Sequence, residues 1–67
     1  MTPKKADQII KTQKTYLFHN VETDEVFSGR AIKRDRYSIT IITNWEKKEI
    51  TGLFDRKDLT VVYLVAP

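Results

Sequence analysis

Cysteine is absent from this chain of 67 residues, and histidine, tryptophan and methionine each occur once. Without cysteine, neither disulfide bonds nor cysteine-ligated zinc sites can form. The single histidine would leave a metal site to carboxylates, and no spacing of acidic residues suggests one, so we expect no metal and no other cofactor.

No apolar run approaches the roughly 20 residues that cross a bilayer, and the first residues lack the apolar core of a signal peptide. We therefore expect a soluble, cytoplasmic protein without membrane contact.

The short length and the charge distribution set two further expectations. A chain of this size buries a modest fraction of its surface, so a single domain would gain stability from self-association. The net charge is +3, from 12 basic and 9 acidic side chains. The charges are segregated into clusters, which indicates that one face favours a polyanion. The clusters are Arg30, Lys33, Arg34 and Arg36; Arg56 and Lys57; and Glu22, Asp24 and Glu25.

The hydrophobic periodicity predicts one helix followed by five strands. Thr2 is a suitable N-cap and Pro3 suits the first helical position, so a helix is expected over about residues 3–13. Strand-forming residues and alternation predict the strands, with Tyr37, Ile39 and Ile41 on one face of the third. Gly29 and Gly52 lie inside two strands, where glycine marks a bend. The predicted strands cover residues 16–21, 26–32, 37–41, 49–54 and 59–65.

This order of elements predicts a mainly β protein. A short N-terminal helix would precede a five-stranded, strongly bent antiparallel sheet that forms a small SH3-like barrel. One domain would cover residues 1–67, with the barrel over about residues 14–65. The OB-fold is the competing architecture, but it normally has longer strands and places its helix between the third and fourth strands.

Two short motifs resemble those of the Sm and Hfq families. In the first, Gly29 is followed by Asp35 and then Tyr37, ahead of a β-branched run. In the second, the turn 56–58 (Arg-Lys-Asp) and the strand 61–64 (Val-Val-Tyr-Leu) are similar to the Arg-Gly-Asp/Asn turn and Val-Val-Tyr-Ile strand of Sm proteins. Hfq has a Lys-His pair at this turn, with which a Lys-Asp pair is compatible.

The sequence also departs from the Sm pattern at three points. Ile39 stands where Sm proteins usually carry an asparagine that reads a base, and Lys57 stands in place of the glycine of the second motif. One extra residue lies between Asp58 and Val61. The resemblance therefore implies a fold and an assembly, but no base preference.

The resemblance implies a Sm-like, homo-oligomeric ring of about five to seven subunits, formed by pairing the fourth strand of one subunit with the fifth of the next. It further implies binding of single-stranded RNA near the central pore, in RNA processing or riboregulation. Tyr37 would stack on a base, the three basic residues of the site would contribute positive charge, and Asp35 would orient the turn. The implied RNA-binding residues are Asp35, Arg36, Tyr37, Arg56 and Lys57.

Each feature has a structural alternative. Tyr37 can be a core or interface aromatic, and Asp35 can serve as a turn-forming residue alone. Arg56 and Lys57 can form surface ion pairs with the flanking aspartates, which contribute little to stability. The basic residues near the second strand can solvate its end or pair with the acidic turn of a neighbouring subunit; these are Arg30, Lys33 and Arg34.

Two other function classes compete with an RNA-binding ring. The first is an SH3-like protein-interaction module or structural scaffold, a monomer or dimer with Trp45 and Tyr16 on an open groove. The second is an enzyme, which would have to use His19 or unusual carboxylates. No recognised catalytic motif is present, so we expect no catalytic residues and no enzymatic activity.

Overall fold

A helix and five strands follow one another along the chain, as the sequence predicts. The computed structural model describes residues 1–66, except for the side chains of Trp45 and Ala66. The helix and strands are α1 (Pro3–Thr12), β1 (Thr15–Asn20), β2 (Glu25–Arg34), β3 (Ser38–Trp45), β4 (Lys48–Asp55) and β5 (Leu59–Ala66), and a 3₁₀ turn (Arg56–Asp58) joins the last two strands.

Helix α1 begins and ends at the residues that its sequence favours. The Thr2 hydroxyl accepts a 3.1 Å hydrogen bond from the backbone N–H of Lys5, and Gln13 ends the helix in the left-handed region with φ of 57°. Ala6 and Ile9 are buried against the sheet. No helix of the described residues is long and apolar enough to cross a membrane.

An ion pair attaches α1 to the end of β2. The Arg34 guanidinium donates to both carboxylate oxygens of Asp7, with Nε–Oδ1 at 2.8 Å and Nη2–Oδ2 at 2.9 Å. The hydrogen bonds from Arg34 hold the pKa of Asp7 below its usual value. Arg34 therefore pairs with an aspartate of its own chain. The sequence alone leaves two other roles open for Arg34, namely solvation of the strand end and pairing with the acidic turn of a neighbouring subunit.

The five strands form one antiparallel sheet in the order β4-β3-β2-β1-β5. The ten residues of β2 pair with β1 through their first half and with β3 through their second. The pairing of β2 with β3 shifts register between Ala31 and Lys33, which is the signature of a bulge. Phe27 of β2 stacks on Phe18 of β1 and on Phe54 of β4, with ring centroids 5.6 and 4.9 Å apart. Because β2 and β4 are not neighbours in the sheet, this stack requires the sheet to bend over itself.

The sheet is not closed into a barrel. Among the described residues, β4 pairs with β3 alone and β5 with β1 alone, so each keeps one unpaired edge. The expected helix and bent five-stranded sheet are present, but the small barrel expected from the sequence stops short of closure. Strand patterns in a sequence do not determine this, because closure depends on how far the bend brings the two outer strands together.

The core contains Ile39 and Ile41 of β3, as the alternation of that strand predicts. Tyr37 does not share their environment, because it precedes β3 in a turn and is 69% exposed. Strand β3 also continues past residue 41, since it pairs with β4 over eight positions up to the two-residue turn Glu46–Lys47. The buried apolar residues are Ala6, Ile9, Phe18, Ala31, Ile39, Ile41 and Leu59.

Candidate functional site

Two turns that are distant in sequence meet at one end of the sheet. They are the β2–β3 turn, residues 35–37, and the 3₁₀ turn Arg56–Asp58. Ser38 pairs with Asp55 at the ends of β3 and β4, and the backbone N–H of Arg56 donates a 2.8 Å hydrogen bond to the Tyr37 carbonyl. The register of β3 with β4 thereby brings together the two motifs that the sequence singles out.

Asp35 shapes the first of these turns. One of its carboxylate oxygens accepts hydrogen bonds from the backbone N–H groups of Tyr37 at 2.9 Å and Ser38 at 2.8 Å. The Ser38 side chain, together with these N–H groups, lowers the pKa of Asp35 from 3.8 to about 2. Through this oxygen Asp35 holds the turn in its conformation, which is the orienting role expected for it.

Tyr37 presents its ring to solvent at the tip of the same turn. The Arg36 guanidinium carbon lies 5.4 Å from the ring centroid, within the range of a cation–π contact. An exposed aromatic face beside a guanidinium group can stack on an unpaired base while the cation attracts the adjacent phosphate. The core role considered for Tyr37 does not fit this exposure.

Arg56 is buried, with 8% of its surface exposed. Its guanidinium donates to the Arg36 carbonyl and, at 3.2 Å, to the Met1 carbonyl, while its Nε has no hydrogen-bond partner among the described residues. The α-amino group of Met1 in turn donates to the Arg56 carbonyl at 2.6 Å and the Leu59 carbonyl at 3.1 Å. Arg56 thus holds the two turns together through its hydrogen bonds. No ion pair among the described residues includes it.

A cavity of about 410 Å³ opens between the two turns. This volume falls within the roughly 300–1,000 Å³ of small-molecule sites in proteins. Of the residues expected to bind RNA, Tyr37, Arg56 and Lys57 line the cavity; Arg36 contacts the Tyr37 ring, and Asp35 holds the turn. The complete lining is Met1, Tyr37, Asp55, Arg56 and Lys57.

Sequence reasoning missed two residues of this lining. Met1 reaches the cavity through hydrogen bonds to residues 55 or more positions away, and no local pattern signals such a contact. The sequence indicates Asp55 only as an ion-pair partner of its basic neighbours. Its position at the end of β4, one residue before Arg56, is the signal that it shares the cavity with Lys57.

The other charged groups lie apart from this cavity. Arg30 lines a separate cavity of about 110 Å³, and Lys33 is exposed on β2. His19 is half-buried and contacts Asp24 across the β1–β2 turn, with Nε2 and Oδ1 2.8 Å apart. Among the described residues, no group of three or more His, Asp or Glu side chains is placed to hold a metal ion.

The groove of the SH3-like alternative depends on Trp45, whose side chain lies outside the described residues. The cavity between the two turns is therefore the candidate functional site.

No protein-family model, curated protein or solved structure matches the chain.

Proposed function

We propose that this chain is the subunit of a Sm-like ring that binds single-stranded RNA at the cavity between the two turns. The observation that carries the proposal is the Tyr37 ring, exposed beside the Arg36 guanidinium at a cavity that Lys57 also lines. Each base stacked on an aromatic ring contributes about 1–3 kcal/mol to binding, and the cationic groups attract its phosphates.

The unpaired sheet edges support the ring part of the proposal. Edge strands with exposed apolar side chains are templates for pairing with another chain. Leu53 of β4 is 71% exposed and Val62 of β5 is 52% exposed. Because these edges lie on opposite sides of the sheet, pairing one with the other is heterologous, and a suitable rotation per contact closes a ring.

The net charge supports RNA as the ligand more than a neutral partner. The chain carries an excess of three positive charges, and the Asp7 carboxylate of α1 is paired with Arg34. Because Asp7 pairs with Arg34, it does not neutralise the exposed lysines of α1. A repeated cavity in each subunit would bind one strand of RNA at several points and raise its apparent affinity.

Titration of labelled U-rich and A-rich hexaribonucleotides, followed by fluorescence anisotropy, tests this function. We expect Tyr37→Ala combined with Lys57→Ala to weaken binding at least about tenfold, as the loss of one stacked base predicts. The matched controls are Tyr37→Phe, which keeps the stacking face, and Lys33→Ala, which removes an equivalent charge outside the cavity. Unchanged binding by the double variant would place the RNA elsewhere. A protein that binds neither oligomer and remains a monomer would favour the protein-interaction module.

A further inference from the structure

Asp55 introduces a negative charge into an otherwise cationic cavity. Asp55 lines the cavity with Tyr37 and Lys57, and it is exposed. Asp55 occupies the N-cap position of the 3₁₀ turn, but its side chain makes no capping hydrogen bond. Neither ion pair among the described residues includes it. Among the described residues, the carboxylate therefore has neither a capping hydrogen bond nor an ion-pair partner, and it is available to a ligand.

A carboxylate in an RNA-binding cavity discriminates among bases by its hydrogen-bonding capacity. An ionised carboxylate accepts hydrogen bonds and donates none. Guanine presents two adjacent donors, N1–H and the 2-amino group, which match the two carboxylate oxygens. Adenine and cytosine each present one amino group beside a ring-nitrogen acceptor. Uracil presents one N–H between two carbonyl oxygens, which a carboxylate repels.

Lys57 extends the same pattern. An ammonium group donates hydrogen bonds and accepts none. In guanine the O6 acceptor lies directly beside the N1–H donor, so a cavity with a carboxylate next to an ammonium group offers the complement of this edge. Asp55 and Lys57 flank the buried Arg56 and line the same cavity as the Tyr37 ring.

We propose that Asp55 makes this cavity selective for guanine, with the base stacked on Tyr37, its N1–H and 2-amino groups on the Asp55 carboxylate, and its O6 facing Lys57. This proposal rests on the RNA-binding function proposed above, because it assigns the base that the site prefers. It differs from a purely electrostatic surface, for which an additional carboxylate would weaken the binding of every sequence equally.

The test compares hexaadenylates that carry guanosine, inosine or uridine at one central position. A good bidentate contact to a base discriminates by about 1–3 kcal/mol, so we expect the guanosine oligomer to bind about tenfold more tightly than the uridine oligomer. Inosine lacks the 2-amino group and should bind more weakly than guanosine. In Asp55→Asn, the amide nitrogen replaces one acceptor with a donor, and the preference for guanosine should fall to about twofold or less.

Asp58→Asn is the matched control, since it makes the same change of charge in the same turn but outside the cavity lining. It should keep the preference for guanosine. Equal binding of the three oligomers to the wild-type protein, or a preference that Asp55→Asn leaves intact, would overturn the role of Asp55. If binding still depends on Tyr37 in that case, the RNA-binding function stands and the base assignment alone is wrong. Absence of binding to all three oligomers would overturn both.

Discussion

The backbone N–H of Arg56 lies 2.8 Å from the carbonyl oxygen of Tyr37, and this hydrogen bond joins the two turns of the candidate site. The Arg56 side chain reinforces the junction, because its guanidinium donates to the carbonyl groups of Arg36 and Met1. A buried guanidinium that holds three chain segments is a positioning group. Tyr37, Asp55 and Lys57 are exposed at the cavity and remain accessible to a ligand.

Arg56→Lys should destabilise the protein although it conserves the charge. A lysine cannot reproduce the planar fork that reaches two carbonyl groups at once, and a hydrogen bond to a charged group contributes about 1.5–3 kcal/mol. We expect the free energy of unfolding to fall by about 2 kcal/mol in urea denaturation. Lys57→Arg, at the exposed neighbouring position, should change it by less than about 0.5 kcal/mol. Equal effects of the two substitutions would show that Arg56 does not hold the turns.

Gly29→Ala should destabilise the bend of the sheet. A Cβ atom at Gly29 would lie 2.8 Å from the backbone oxygen of Ile42, which cannot move without disturbing β3. Overpacking of this kind costs about 1–3 kcal/mol. At Gly52, a Cβ atom would meet the far edge of the Phe54 ring, which can rotate away. Thermal denaturation should therefore show a clearly lower Tm for Gly29→Ala than for Gly52→Ala, and the reverse order would contradict the close approach of β2 and β3.

The stability of the protein should depend on the ionisation of Asp35. The pKa of this carboxyl group is lowered in the folded protein from 3.8 to about 2, so its ionised form favours folding. Its contribution is complete above about pH 5, declines as the pH falls through 3.8 and is lost as the pH falls through about 2. Asp35→Asn keeps an oxygen that can accept the turn's hydrogen bonds but does not titrate. The difference in Tm between the wild-type protein and Asp35→Asn should shrink between pH 5 and about pH 2. A difference in Tm that stays constant over this pH range would show that the ionised Asp35 carboxylate does not stabilise the turn.

The sequence predicts the elements of this fold well and their spatial relationships less well. The Thr2-Pro3 start, the alternation over residues 37–41 and the turn after Phe54 are local signals, and each element that they predict is present, although Tyr37 itself precedes β3. The extension of β3 to Trp45 was missed because Glu46 and Lys47 both adopt positive φ, which β-hairpin turns normally assign to asparagine or glycine. The strand formers that flank this turn override its unfavourable local sequence.

The candidate site likewise contains residues that local motifs predict and contacts that only the complete fold determines. Tyr37 and Lys57 belong to short motifs and could be identified by residue type and spacing. The burial of Arg56 could not, because it arises from hydrogen bonds to Met1 and Arg36 that depend on the completed fold. The pairing of Arg34 with Asp7 likewise spans 27 positions and depends on where α1 docks.

Lysine substitutions on the sheet edges should separate the subunits of the proposed ring. Leu53 and Val62 are more than half exposed in one subunit, so Leu53→Lys and Val62→Lys leave the isolated fold nearly unchanged. Within a β4–β5 contact, the same lysines would bury unpaired charge, and the assembly should dissociate. Val21→Lys is the control, since Val21 is 53% exposed and lies in the β1–β2 turn, outside β4 and β5. Sedimentation velocity measures the size of the assembly that each of the three variants forms. An unchanged assembly in the two edge variants would exclude this interface.

The mass of the nuclease-treated wild-type protein in solution, determined by light scattering on a sizing column, tests the proposed assembly most directly. Pairing of β4 with β5 from subunit to subunit predicts one sharp species at about five to seven times the subunit mass. The subunit mass is 7.9 kDa. A single species at 7.9 kDa would contradict the ring, leave both sheet edges available to another protein and favour the protein-interaction module.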